Sequence, residues 1–137
     1  MEIVNKQKEY HHKEFIVYSC QYHVVFCTKY RRKVLVPPID NRLKELILEK
    51  QSEYEYKVLD MEVMPDYVHL LIDIDPMKGV YHTVNEIKGY TSHVLREEFP
   101  ELKSRIPTLW THSKFISSVG VVTLEDVIRY IEEQRSV

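Results

Sequence analysis

The chain has 137 residues, a length that fits one compact domain around one hydrophobic core. Apolar residues make up 44%, as in soluble globular proteins, and no apolar run approaches the length that spans a bilayer. Only three glycines are present, which excludes a glycine-rich phosphate loop, and the net charge of −2 argues mildly against a large nonspecific nucleic-acid surface.

The first 14 residues, MEIVNKQKEYHHKE, are polar and mixed in charge. They lack the apolar stretch of a secretory signal peptide, so we expect a cytoplasmic protein that does not engage a membrane. We interpret residues 1–14 as a flexible arm. No linker or internal repeat divides residues 15–137, which we interpret as a single domain.

Residues 15–28, FIVYSCQYHVVFCT, are rich in β-branched and aromatic side chains, which predicts a long strand in the centre of a sheet. Cys20 and Cys27 are an odd number of residues apart, which places them on opposite faces of a regular strand. We therefore expect reduced thiols rather than a disulfide.

A basic run follows this strand: Lys29, Tyr30, Arg31, Arg32 and Lys33. Four positive charges around one aromatic ring can hold a phosphate backbone and stack a base. An ordinary solvated strand end with surface charges explains the run equally well.

A helix is predicted from Asp40, a favourable capping residue, to about Ser52. Residues 55–64 and 67–73 are predicted strands. Only Pro65 and Asp66 separate them, which indicates a tight hairpin.

A second helix is predicted over residues 80–99, and a fourth strand over residues 109–119. Thr123, with Asp126 three residues later, resembles a capping box for a last helix over 124–134. The order β-α-β-β-α-β predicts an α+β fold of the ferredoxin-like kind, an antiparallel sheet with an additional C-terminal helix. In this fold the first and third strands are neighbours, the second pairs with the third, and both helices pack on one face.

The hairpin brings together residues that could bind a metal ion. A two-residue loop places Glu62 opposite His69, with their Cβ atoms about 5 Å apart on one face. A carboxylate and an imidazole at that separation can share one divalent cation, and mixed oxygen and nitrogen ligands suit Mg²⁺ or Mn²⁺. Tyr67 lies on the same face, Asp66 at the turn could orient a metal-bound water, and His23 lies on the predicted neighbouring strand. A Glu–His ion pair on a solvent-facing sheet is the alternative, which the geometry alone favours by about two to one.

The last helix carries Tyr130 and Gln134, whose spacing places them side by side on one face. A tyrosine phenol can act as a nucleophile and form a covalent phosphodiester. Its ordinary pKa of about 10 means that a metal ion or a base must favour the phenolate. The alternative is an amphipathic tyrosine that seals the helix against the sheet.

Taken together, these residues resemble the single-tyrosine HUH transposases of the insertion-sequence 200/605 family. The resemblance extends from Tyr18 to Gln134 and is carried by the stretches YHVVFCTKYRRKVL at 22–35, MEVMPDYVHLLI at 61–72, IKGYTSHVLREEFPELK at 87–103, LW at 109–110 and IRYIEEQ at 128–134.

The resemblance implies a ferredoxin-like transposase that cleaves and rejoins single-stranded DNA at element ends, with hairpins recognised there. The reaction would pass through a 5′-phosphotyrosine intermediate with a divalent metal. The resemblance also implies a homodimer in which the tyrosine helix of one subunit can complete the metal site of the other. By this resemblance, the nucleophile corresponds to Tyr130 and the second HUH histidine corresponds to His69. The polar residue that can reach the metal corresponds to Gln134.

The first HUH histidine falls on Tyr67, which departs from the family pattern. A neutral phenol is a poorer metal ligand than an imidazole, so two hypotheses remain open. Either Glu62 and His69 retain the metal with Gln134, supported by waters, Asp66 and His23, or the protein is a degenerate or domesticated, non-catalytic binder of single-stranded DNA hairpins. A ferredoxin-like domain that binds a small metabolic ligand is a third hypothesis, with no specific residue in its favour.

Overall fold

The computed structural model of the chain describes residues 10–13, 16–120 and 123–134. Within these residues the strands are β1 His11–Lys13, β2 Ile16–Tyr18, β3 Gln21–Cys27, β4 Tyr56–Met64, β5 Tyr67–Ile74 and β6 Phe115–Ser118. The helices are α1 Ile39–Glu49, α2 Val80–Glu98, α3 Glu101–Arg105 and α4 Leu124–Glu133. None of these helices is long and apolar enough to cross a membrane.

Four strands form one antiparallel sheet in the order β4-β5-β3-β6. The predicted first and third strands, β3 and β5, are central neighbours, and the predicted second strand, β4, pairs with β5. The ferredoxin-like α+β prediction is therefore confirmed. A central strand has sheet neighbours on both sides, which explains why β3 and β5 are almost entirely buried.

The two faces of the sheet are covered by different helices. Val24 and Phe26 point to one face and join the main core, which includes residues of α1 and α2. The alternate residues of β3 point to the other face, where a smaller buried cluster includes α4 and consists of Val25, Cys27, Val127 and Ile131. We call this second face the α4 face.

The predicted first strand is interrupted. Residues 16–18 pair with residues 11–13 in a separate two-stranded ribbon, and the central strand begins only at Gln21. Two hydrogen bonds attach the ribbon near the end of β5: His11 Nε2 donates to Asp73 Oδ2, and Lys13 Nζ donates to Asp75 Oδ2, both at 2.6 Å. Residues 11–13 of the predicted flexible arm thus form a strand, whereas residues 1–9 and 14 of that arm lie outside the described residues.

The predicted fourth strand, 109–119, is longer than the observed one. Only Phe115–Ser118 pairs regularly with β3, and Trp110 makes an isolated bridge to Thr28. Between them the chain is drawn to α2, because Lys88 Nζ donates to the carbonyls of Thr111 and Ser113. These carbonyls are therefore bonded to a side chain instead of to a strand. The short helix α3 was not predicted from the sequence.

Candidate active site

The hairpin register agrees with the prediction residue by residue. Glu62 lies opposite His69, and Met64 lies opposite Tyr67. The register continues across the sheet, so Glu62, His69, Val25 and Phe115 form one row on the α4 face. A register irregularity between Val58 and Asp60 also brings Asp60 opposite Leu71, which the sequence did not reveal.

His23 and His69 form a hydrogen-bonded pair of imidazoles. The Nδ1 atom of His23 lies 3.1 Å from Nε2 of His69, and both residues are buried. Burial and the electrostatic effect of the neighbouring His69 lower the pKa of His23 to about 4. Burial also lowers the pKa of His69. Both rings are therefore neutral at pH 7, and one N–H donates to the other ring's lone pair. A cation bound at Nε2 of His69 would have to replace this hydrogen bond.

Tyr67 lies beside the Glu62 carboxylate. Its hydroxyl donates to Oε1 of Glu62 over a long 3.5 Å. Burial and the nearby carboxylates of Glu62 and Asp66 raise the pKa of Tyr67 to about 12. A phenol that stays protonated is a weak cation ligand. At pH 7 the Tyr67 phenol is therefore protonated and offers a poorer cation ligand than an imidazole would at the same position.

Asp66 and the basic run meet at the end of the hairpin. Arg31 donates from Nε and Nη2 to Oδ2 of Asp66, at 3.0 and 2.8 Å. The Asp66 carboxylate thus contacts a guanidinium rather than an imidazole. Residues 29–31 form a short 3₁₀ turn in which Nζ of Lys29 lies 5.0 Å from the centre of the half-exposed Tyr30 ring. Arg32 and Lys33 are exposed.

The tyrosine helix α4 begins with the predicted capping box of Thr123 and Asp126. Tyr130 packs against Phe115 of β6, with ring centres 5.6 Å apart, and its hydroxyl donates to Oγ of Ser113 at 3.0 Å. Burial raises the pKa of Tyr130 to about 12. The ring borders a cavity of about 450 Å³, whose lining includes Ser117 and Arg129.

The Tyr130 hydroxyl and the Glu62–His69 pair lie on the same face but at different strands. Phe115, the ring neighbour of Tyr130, is separated from His69 by Val25 of β3. At about 4.8 Å between strands, this is a distance of about 10 Å across the sheet. The structure therefore brings Glu62, Tyr67, His69 and His23 together, and holds the Tyr130 hydroxyl at Ser113, away from them.

The donor set fits a divalent cation in part. No group of three or more His, Cys, Asp and Glu side chains in the described ranges is arranged to hold a metal ion. Glu62 and His69 supply two donors, and Gln134 adds an amide group. The Gln134 side chain is buried, and its Oε1 atom makes no hydrogen bond within the described part of the chain. An unsatisfied buried oxygen is costly and suits a hard cation such as Mg²⁺ or Mn²⁺.

Comparison with known proteins identifies relatives of this chain. A family model described as "Transposase IS200 like" matches residues 16–134. The ISDra2 transposase TnpA of Deinococcus radiodurans is 34% identical over 120 residues, which cover 86% of each chain. The transposase for insertion sequence element IS200 of Salmonella typhimurium is 31% identical over 124 residues, covering 86% of this chain and 81% of that protein.

Solved structures show the same fold. A crystal structure from Deinococcus radiodurans R1, described as a candidate transposase, superposes with a TM-score of 0.85 and 31% identity, over 93% of this chain and 99% of that one. A REP-associated tyrosine transposase bound to a REP hairpin superposes with a TM-score of 0.57, over 96% of this chain and 69% of that one. Its identity is 11%, so this second likeness concerns the fold alone.

Proposed function

This chain belongs to the family of IS200-like transposases, and from that premise we propose that it cleaves and rejoins single-stranded DNA with Tyr130 as the nucleophile. The observation that carries the proposal is the shared α4 face, on which the tyrosine helix covers the same sheet that presents the Glu62–His69 pair. The partly buried Tyr130 supplies a candidate nucleophile, and the carboxylate–imidazole pair on the same face supplies candidate metal ligands for phosphodiester transesterification.

In the proposed reaction the phenol oxygen of Tyr130 attacks a phosphorus atom of the DNA strand. The new bond is tyrosine O–P, the bond that breaks is P–O3′, and the phenol proton is lost while the leaving O3′ gains one. The products are a 5′-phosphotyrosine and a free 3′-hydroxyl. The bond energy stays in the phosphotyrosine, so a second 3′-hydroxyl can reverse the step and rejoin strands. The cavity beside Tyr130 offers room for the nucleotide that becomes attached.

Glu62 and His69 are the proposed metal ligands, with Gln134 as a third. A bound Mg²⁺ or Mn²⁺ would supply Lewis-acid polarisation of the scissile phosphate and stabilise the leaving oxygen. The two ligands on the sheet are held by the hairpin register, whereas Gln134 is carried by the end of α4. Docking of that helix would therefore complete the ligand set.

Homodimer formation is part of the proposal. In its observed position, Tyr130 packs beside β6, two strand positions from His69 and three from Glu62 of its own chain. Either α4 moves across the face, or it reaches the Glu62–His69 pair of a second copy. We propose the second route, in which two copies exchange their α4 helices. The small apolar cluster between α4 and the sheet suits such an exchange, because few contacts must be broken to release the helix.

The DNA partner is proposed to be a single strand with hairpins at the element ends. The exposed part of the basic run, Tyr30, Arg32 and Lys33, is suited to a phosphate backbone and one stacked base. Lys29 adds a charge beside the Tyr30 ring, while Arg31 orders the turn through Asp66.

The second candidate function is non-catalytic binding of DNA hairpins. Tyr67 at the first HUH position favours it, as does the engagement of His69 Nε2 with His23. Cleavage of labelled DNA separates the two. Single-stranded oligonucleotides that span the element ends, with their hairpins, are incubated with Mn²⁺ and labelled at one end or the other.

Active transposase should retain the 3′-labelled fragment as a protein adduct and release the 5′-labelled fragment with a 3′-hydroxyl. The matched control is Tyr81→Phe, which removes an exposed hydroxyl on α2 and should leave the adduct unchanged. Hairpin binding without an adduct at any metal concentration would establish the second candidate instead.

A further inference from the structure

Lys88 is a buried lysine that the proposed chemistry does not use. It lies on α2 with 9% of its surface exposed, and its ammonium group donates to the carbonyl of Thr111 at 2.6 Å and to that of Ser113 at 3.1 Å. The Phe26 ring lies 6.0 Å from Nζ. A charge in this apolar setting is costly, so the two carbonyls are what keeps it in place.

Ser113 connects Lys88 to Tyr130. Its carbonyl oxygen accepts from Lys88, and its side-chain oxygen accepts from the Tyr130 hydroxyl at 3.0 Å. Ser113 thus connects α2 to α4, with its carbonyl oxygen bonded to one helix and its side-chain oxygen bonded to the other. The main chain of segment 111–113 cannot shift without changing the position of the Ser113 hydroxyl.

The segment has little regular structure of its own. It lies between the isolated Trp110–Thr28 bridge and the first residue of β6, and it contributes one backbone hydrogen bond to β3, from Thr111 N to Cys27 O. Side chains therefore fix its path, and Lys88 supplies two of the contacts. A serine on a segment held in this way is a rigid partner for a phenol.

We propose that Lys88 is a positioning residue that, through Ser113, holds the Tyr130 hydroxyl in its place beside β6. This inference rests on the proposed role of Tyr130 as the nucleophile. Because the Tyr130 hydroxyl must leave Ser113 to reach the Glu62–His69 pair of a second copy, the contact with Ser113 stabilises the ground state and not the transition state. Weakening it should therefore speed the first attack on DNA that is already bound.

The test follows the phenol itself and does not depend on activity. Fluorotyrosine placed at position 130 gives a ¹⁹F resonance that reports the burial and hydrogen bonding of that ring. In Lys88→Met the resonance should move towards the position of free fluorotyrosine. Lys88→Arg, which can donate to both carbonyls, should restore the original position. The control Lys103→Met removes an exposed lysine on α3 and should leave the resonance unmoved.

Kinetics with unmodified protein supply the second readout. Adduct formation on saturating single-stranded DNA should be about threefold to tenfold faster in Lys88→Met and in Ser113→Ala, the effect of losing one hydrogen bond in the ground state. DNA affinity should be unchanged. The double variant should be no faster than either single variant, because both changes break the same connection.

An unmoved ¹⁹F resonance in Lys88→Met, or no rescue by Lys88→Arg, would overturn the assignment. A slower adduct step with normal DNA affinity would also contradict it. If the unaltered protein forms no adduct at all, the proposed function fails, and the ¹⁹F comparison still decides whether Lys88 positions Tyr130.

Discussion

Replacing Lys88 by methionine should change how the stability of the protein depends on pH. Burial, together with the nearby Lys114 ammonium, lowers the pKa of Lys88 from 10.5 to about 8. Since one pKa unit corresponds to about 1.4 kcal/mol, keeping the folded ammonium charged costs about 3 kcal/mol. The cost is fully present below pH 8, falls as the pH rises towards 10.5, and is absent above it.

The magnitude follows from the two pKa values. Between pH 7 and pH 9.5 the cost of the charge falls by about 2 kcal/mol, so the unaltered protein should gain that much stability relative to Lys88→Met. The loss of the hydrogen bonds to Thr111 and Ser113 also destabilises the variant, and the dependence of these bonds on the charge of Lys88 is already contained in its lowered pKa. At pH 7 the stability difference between the two proteins combines the cost of the charge with the gain from the hydrogen bonds. Its change between pH 7 and pH 9.5 nevertheless has one sign, in favour of the unaltered protein.

Urea unfolding of both proteins at pH 7 and pH 9.5 under reducing conditions gives their free energies of unfolding. The quantity to compare is the difference between the two proteins at each pH. Thiols and tyrosines that ionise in the unfolded chain contribute equally to both proteins and cancel. Lys103→Met, which removes an exposed lysine, should show no such trend. A difference between the unaltered protein and Lys88→Met that stays constant within about 0.5 kcal/mol would refute the reasoning, because Lys88 would then titrate as it does in water.

Three further predictions concern the proposed metal site and assembly. Glu62→Ala and His69→Ala should abolish metal-dependent cleavage while the fold is kept, and full Mn²⁺ binding by the double variant in calorimetry would count against the site. Tyr67→His should raise metal affinity and the cleavage rate, most clearly at low metal concentration, because it adds a neutral ring nitrogen on the His69 face; a lower Mn²⁺ affinity would contradict this. Light scattering at micromolar concentration should give the mass of a dimer, and a monomer would refute the proposed assembly.

The hairpin register could be predicted because few physical choices were open. A two-residue connection fixes which residues are opposite, and the period of two then decides which share a face. Glu62 and His69 were paired correctly on these grounds alone. The capping box at Thr123 and Asp126 was equally local, since both partners lie within one turn of helix.

Contacts between distant segments could not be predicted in this way. Ser113 lies 17 residues from Tyr130 and 25 from Lys88, and nothing in the local pattern marks the serine as a partner of either. The predicted strand over 109–119 failed for the same reason, because a side chain of α2 takes the carbonyls that a strand would use. The break before Gln21 was also hidden, since Ser19 and Cys20 stand between two runs that are rich in β-branched and aromatic residues.

Covalent linkage of Tyr130 to DNA can be tested by mapping the residue to which the DNA is attached. The chain has ten tyrosines, so an adduct alone does not identify the nucleophile. Tryptic digestion of the adduct, followed by mass spectrometry, should place the nucleotide phosphate on the peptide of residues 130–135, and Tyr130→Phe should yield no adduct. A nucleotide on any other tyrosine, or an adduct that persists in Tyr130→Phe, would show that the nucleophile is not Tyr130.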